Sequence, residues 1–92
     1  MKNKFTFYRY KRHNTLRYFR VEDNSRRVLQ LVVKEQAEGR GNRKNWIGIY
    51  YITWAGFTTS YFHFVFKKYL KHCSQKEFNL IFKQLSKQMI TT

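Results

Sequence analysis

Nineteen lysines and arginines against five acids give this 92-residue chain a formal charge of +14. A compact state has to form against that self-repulsion, so the core must be strong for its size. The material for one is present: nine Phe, seven Tyr and two Trp make the chain 20% aromatic. A disordered basic tail would lack those rings. The combination reads as a small folded module whose charge serves a polyanion, because each cation set against a phosphate releases condensed counterions. The excess is uneven, with 13 of the 19 basic residues before Trp46 and no acid in the first 20 positions.

Length allows a single domain, divided here into a basic N-terminal strand or arm region, 1–24, and a sheet-plus-helix module, 25–92. Zero Pro and four Gly argue against linkers. A lone Cys73 cannot form an internal disulfide, and with His13, His63 and His72 scattered it builds no zinc site. No cofactor or metal is expected. The expected setting is intracellular, cytoplasmic or nucleoid/nuclear, since no signal-peptide pattern is seen. The longest apolar stretch, 46–57, is about half of the roughly 20 residues that a spanning helix needs, so no membrane partner is expected.

Residues 5–10, 16–21 and 28–35 are short β-prone runs, broken by polar turns at 11–15 and 23–25. Residues 36–45 read as a basic loop. A strand at 46–54, a turn at Ala55-Gly56-Phe57 and a partner strand at 58–66 form the expected hairpin, with Gly56 supplying the turn's freedom. Residues 67–72 then form a basic connection. Ser74-x-x-Glu77 fits a capping box. Phe78, Ile81, Phe82, Leu85 and Met89 recur at helical steps, with Lys76, Lys83 and Lys87 off that stripe. The fold class expected is α+β: an antiparallel β-sheet of three core strands, plus one or two N-terminal strands, packed on one C-terminal α-helix.

Alternation puts Leu29, Leu31 and Val33 on one face, and Phe62, Phe64 and Phe66 on one face of the last strand, toward the helix. The middle strand is apolar on both faces; if Ile47, Ile49 and Tyr51 join the core, the other face carries Trp46, Tyr50, Ile52 and Trp54 with Tyr61 and His63. Core filling is the ordinary role of any one of these rings. One helix covers only one face, however, so the set is expected to remain an open aromatic surface.

From residue 25 onward the layout resembles the APETALA/ethylene-response-factor DNA-binding fold and the related amino-terminal domains of some integrases. The residues that carry the resemblance are the strand 28–35, Lys44-Asn45-Trp46, the turn Trp54-Ala55-Gly56-Phe57, Tyr61-Phe62-His63-Phe64, Lys67-Lys68-Tyr69 and the helix 77–88. The resemblance implies a sheet lying in the major groove. Its outward set would be Gln30, Lys34, Trp46, Tyr50, Trp54, Tyr61 and His63, extended by Lys67, with Arg40, Arg43 and Lys44 on flanking phosphates. The helix departs from the family in using large apolar residues, and strand 28–35 lacks the family's arginines.

No enzyme is read here. The three histidines have no well-placed acid, two-metal chemistry needs clustered carboxylates, and Gly39-Arg40-Gly41 lacks the setting of a phosphate loop. Cys73 reads as a half-buried thiol rather than a nucleophile. The expected function is non-enzymatic nucleic-acid binding, double-stranded DNA first, in a transcription or recombination accessory role. Phosphate contacts would come from Arg9, Lys11, Arg12, Arg17, Arg20, Arg26 and Arg27 together with the loop. The alternatives are a stacking platform for single-stranded DNA or RNA, with Trp46, Tyr50, Trp54 and Tyr61 against bases, and a phage- or plasmid-type protein docking on a host protein complex.

Overall fold

The computed structural model describes residues 4–13, 15–34, 47–62 and 67–90. Strands β1 (Phe5–Arg12), β2 (Thr15–Glu22), β3 (Arg27–Lys34) and β4 (Gly48–Thr53) are followed by helix α1 (Trp54–Tyr61), a short strand β5 (Leu70–His72) and helix α2 (Gln75–Ile90). All strand pairs are antiparallel, in the spatial order β4-β3-β2-β1-β5. The fold is α+β, with the C-terminal helix on the sheet as expected. The N-terminal hairpin does not trail from this sheet; β1 and β2 are two of its three inner strands.

The hairpin closes from Arg12 opposite Thr15, with His13 in the left-handed region at φ 52°. The β2–β3 turn closes with the Arg26 amide donating to the Glu22 carbonyl at 2.7 Å. Between Leu16 and Arg17 the β2–β3 register slips, a local irregularity next to Val33.

Two apolar clusters lie on opposite sides of the sheet. Phe7, Tyr18, Leu29 and Leu31 meet Phe78 and Leu85 of α2, with Ile49, Val33, Ile81 and Phe82 at the margin. Leu29, Leu31 and Val33 therefore face the helix stripe, as alternation requires. On the other side Tyr10, Phe19, Val21, Val28 and Leu70 meet Phe57, with Tyr8, Ile52, Trp54, Tyr61 and Phe62 packed against them.

That second cluster corrects the expected hairpin. Residues 54–61 form a helix, and Ala55-Gly56-Phe57 is its first turn rather than a strand reversal. Thr53 caps it, its Oγ1 accepting from the Gly56 amide at 3.1 Å. The Thr58 hydroxyl donates back to the Trp54 carbonyl at 3.1 Å. Trp54, Phe57 and Tyr61 then fall on one side of the helix, against the sheet. Burial of Phe57, which is 0% exposed, outweighs the weak strand preference of the local residues. The face expected to lie open is thus covered. The proposed strand residues His63, Phe64 and Phe66 lie outside the described residues, as do Trp46 and the side chain of Met89.

The basic connection at 67–72 holds a further strand. Leu70, Lys71 and His72 pair with Tyr10, Arg9 and Tyr8. Among the described residues no helix is long and apolar enough to cross a membrane.

Candidate nucleic-acid interface

Ser74 precedes helix α2, and its hydroxyl accepts from the Glu77 amide at 3.1 Å. That is one half of the capping box. The Glu77 carboxylate is engaged elsewhere: it accepts from the Tyr18 hydroxyl at 2.9 Å and lies 3.6 Å from the Arg9 guanidinium. Burial, then the Glu77 hydrogen bond and charge, push the Tyr18 phenol up to about 12. Burial and Glu77 likewise push the Cys73 thiol up to about 11, with Arg9 opposing both shifts. A thiol held protonated in this way is a poor nucleophile.

Glu77 is the sole acid of α2, and it points inward. Phe78, Ile81, Phe82 and Leu85 take the sheet side. Lys76, Lys83 and Lys87 are exposed, and their spacing of seven and four residues sets them in one row along the outer face. At 1.5 Å per residue the row is about 16 Å long.

The row continues onto the strands at the base of the helix. Arg9 lies directly opposite Lys71 in the β1–β5 register, and Lys11 is two residues further along the same face. Facing like charges cost a sheet up to about 1 kcal/mol, and among the described residues Glu77 partly offsets this pair. Arg9, Lys11, Lys71, Lys76, Lys83 and Lys87 thus share the α2 side of the sheet. The opposite side is capped by α1, whose eight residues carry no charge.

Several residues expected at the sheet face are committed to this interior instead. Gln30 is 7% exposed. Its Oε1 accepts from Arg17 Nη1 and from the Tyr61 hydroxyl, each at 3.0 Å, and Arg17 Nη1 also donates to the Tyr61 oxygen. Gln30, Tyr61 and Trp54 therefore do not form an open reading surface. Tyr50 is partly exposed on edge strand β4, and its ring lies over Gly48, where a Cβ would come within 3.1 Å of the Tyr50 hydroxyl. Lys34 and Lys67 are exposed, at the end of β3 and just before β5. Trp46 and His63 lie outside the described residues.

Of the residues expected on phosphate, Arg9 and Lys11 sit on the α2-side surface described above. Arg12 lies over the Tyr69 ring at 5.2 Å, and Arg20 lies over Phe5 and Phe78 at 5.0 and 5.9 Å. Arg26 lies over Trp54 at 5.8 Å, and Arg27 over Tyr51 at 5.0 Å. Arg40, Arg43 and Lys44 lie outside the described residues. Lys71, Lys76, Lys83 and Lys87 were not among the residues expected on DNA. The helical spacing of the last three was visible, but their convergence with Arg9 and Lys71 depends on β5, which no pattern signalled.

Compared with models of protein families, with curated proteins and with solved structures, the chain matches none.

Proposed function

We propose that the chain is a non-enzymatic nucleic-acid-binding module that grips the phosphate backbone of duplex DNA with the α2 side of its sheet. The observation that carries this reading is the acid-poor basic side itself, with Arg9 set opposite Lys71 and a lysine row along α2. A pair of facing cations is unfavourable alone and becomes favourable when a phosphate lies between them. Duplex is preferred to single strands because Trp54 and Tyr61, the rings that would stack on bases, are packed against the α1-side core. DNA is preferred to RNA because an α-helix fits the major groove of B-DNA, whereas that groove in A-form RNA is deep and narrow. The groove-facing element is then α2, not the sheet face that the APETALA resemblance implies.

Six engaged cations give a slope of log affinity on log salt of roughly −5. Fluorescence anisotropy with matched duplex DNA, duplex RNA and single-stranded probes, over a range of salt, measures it. Replacing Lys76, Lys83 and Lys87 together by Gln is expected to flatten the slope by about 3. An unmoved slope would refute the α2 surface. Weak, equal binding of all probes that vanishes by physiological salt would instead favour a protein partner, for which the uncharged edge strand β4 is the available surface.

A further inference from the structure

A second feature lies at the opposite edge of the sheet from Lys71. Where the β2–β3 turn approaches the start of α1, a cleft of about 510 Å³ is lined by Ser25, Arg26, Arg27, Tyr51, Thr53 and Trp54, among others. That volume is within the range of sites for small ligands. Two cation–ring pairs flank it, Arg26 with Trp54 and Arg27 with Tyr51. Among the described residues no carboxylate lines the cleft and neither arginine is ion-paired, and the first turn of α1 carries no acid.

The backbone adds an independent sign. Arg26 has φ 56°, the left-handed region where Gly and Asn are at ease and other side chains are strained. Turn geometry alone favours Gly, Asn or, as at His13 of the β1–β2 turn, a short polar ring. The strained position accounts for itself if the guanidinium is needed where it stands.

We propose that this cleft binds one nucleoside phosphate unit, either a free nucleotide or the unpaired end of a strand. Two guanidiniums ask for an anion, and the largely exposed Tyr51 ring with the partly buried Trp54 ring asks for a flat apolar partner. Inorganic phosphate meets only the first demand and a plain apolar molecule only the second; a base joined to a phosphate meets both. The site does not depend on the lysine surface, so the two stand or fall separately.

The test uses the full chain labelled with 15N and titrated with adenosine 5′-monophosphate. Saturable amide shifts confined to residues 25–27 and 51–55 are expected. Binding should weaken at least tenfold with adenosine or inorganic phosphate alone, and tenfold again in the variant Arg26→Asn with Arg27→Gln. Asn suits the φ at position 26, so that variant retains the turn, and an unchanged spectrum elsewhere verifies it. Scattered or non-saturable shifts, or equal binding of inorganic phosphate or phenyl phosphate, would overturn the assignment. A second arm compares blunt duplex with a duplex carrying a three-nucleotide overhang. Tighter binding of the overhang, lost in the double variant, identifies a strand end as the source. Equal binding of both duplexes, with the mononucleotide shifts intact, identifies a free nucleotide. The variant lacking Lys76, Lys83 and Lys87 should lose duplex affinity and keep the mononucleotide shifts.

Discussion

Phe57→Ala tests whether the sheet has a covered second face. Phe57 is fully buried, and its ring centroid lies 4.9 Å from those of Phe19 and Phe62, 5.6 Å from Tyr8 and 5.9 Å from Trp54. Truncation removes the ring and leaves a cavity between α1 and β1–β3, because the surrounding rings are held by the strands and can collapse only partly. Buried Phe→Ala changes cost about 3–5 kcal/mol. A domain of this length has roughly 5–14 kcal/mol in total, so about a fifth or more of the stability should vanish. With a urea m-value of about 1–1.5 kcal/mol/M, the midpoint should fall by roughly 2–5 M. Leu80→Ala is the control: Leu80 is 57% exposed on the outer face of α2, and its loss should stay within about 0.5 kcal/mol. If Phe57→Ala cost less than about 1 kcal/mol, and the wild-type protein bound a hydrophobic dye, α1 would not be packed on the sheet. The open aromatic face would then return.

Glu77→Gln should lower the alkaline titration of Tyr18 from about 12 toward its ordinary value, followed by absorbance at 295 nm. The same change should speed the reaction of Cys73 with a thiol reagent, since Glu77 is among the causes that hold that thiol up near 11. In the wild type the folded state keeps the Tyr18 proton that the unfolded chain releases near 10, so this contribution is complete below pH 10. It is lost as pH rises toward 12, and stability measured over that window should fall. Arg26→Asn should leave the fold intact and raise stability by up to about 1 kcal/mol, the relief of left-handed strain exceeding the lost contact with Trp54. A marked destabilisation would mean that the arginine is there for the turn and not for the cleft.

The parts of this fold that were legible had one dominant signal each. The β-prone runs at 5–10, 16–21 and 28–35 became β1, β2 and β3, and Ser74 with the 78–81–82–85 stripe located α2. The segment 54–62 carried two signals in conflict. Its threonines and aromatics suit a pleated surface and Gly56 suits a turn, yet Trp54, Phe57 and Tyr61 recur at steps of three and four behind a capping Thr53. Those rings find burial only in the helical arrangement, and a second layer of rings on β1 and β2 makes that burial available. The candidate site inherited the same error. One helix would leave Gln30, Trp54 and Tyr61 facing outward; two helices pack them against the α1-side core, and the lysines of α2 are among the charges that stay exposed. Strand β5 was illegible for a simpler reason: three residues carry no periodicity, and pairing with β1 creates it.

Charge and aromatic content, which look like separate facts of composition, are coupled in the fold. Six arginines lie among the described residues, and with only five acids in the chain they cannot be balanced by carboxylates. Arg9 takes Glu77. The other five, Arg12, Arg17, Arg20, Arg26 and Arg27, each lie within 6 Å of a ring centroid. At about 0.5–1 kcal/mol each when exposed, those contacts amount to roughly 3 kcal/mol, enough to matter against self-repulsion. A guanidinium is suited to this use because it is flat and weakly hydrated, whereas a lysine ammonium holds its water and stays in solvent. The two cations should therefore separate by assay. Substituting Arg12, Arg17, Arg20 or Arg27 should chiefly lower stability, and substituting the lysines of α2 should chiefly lower affinity for a polyanion. Under the proposed reading, that division lets ring contacts offset part of the self-repulsion while the lysines of α2 serve the polyanion.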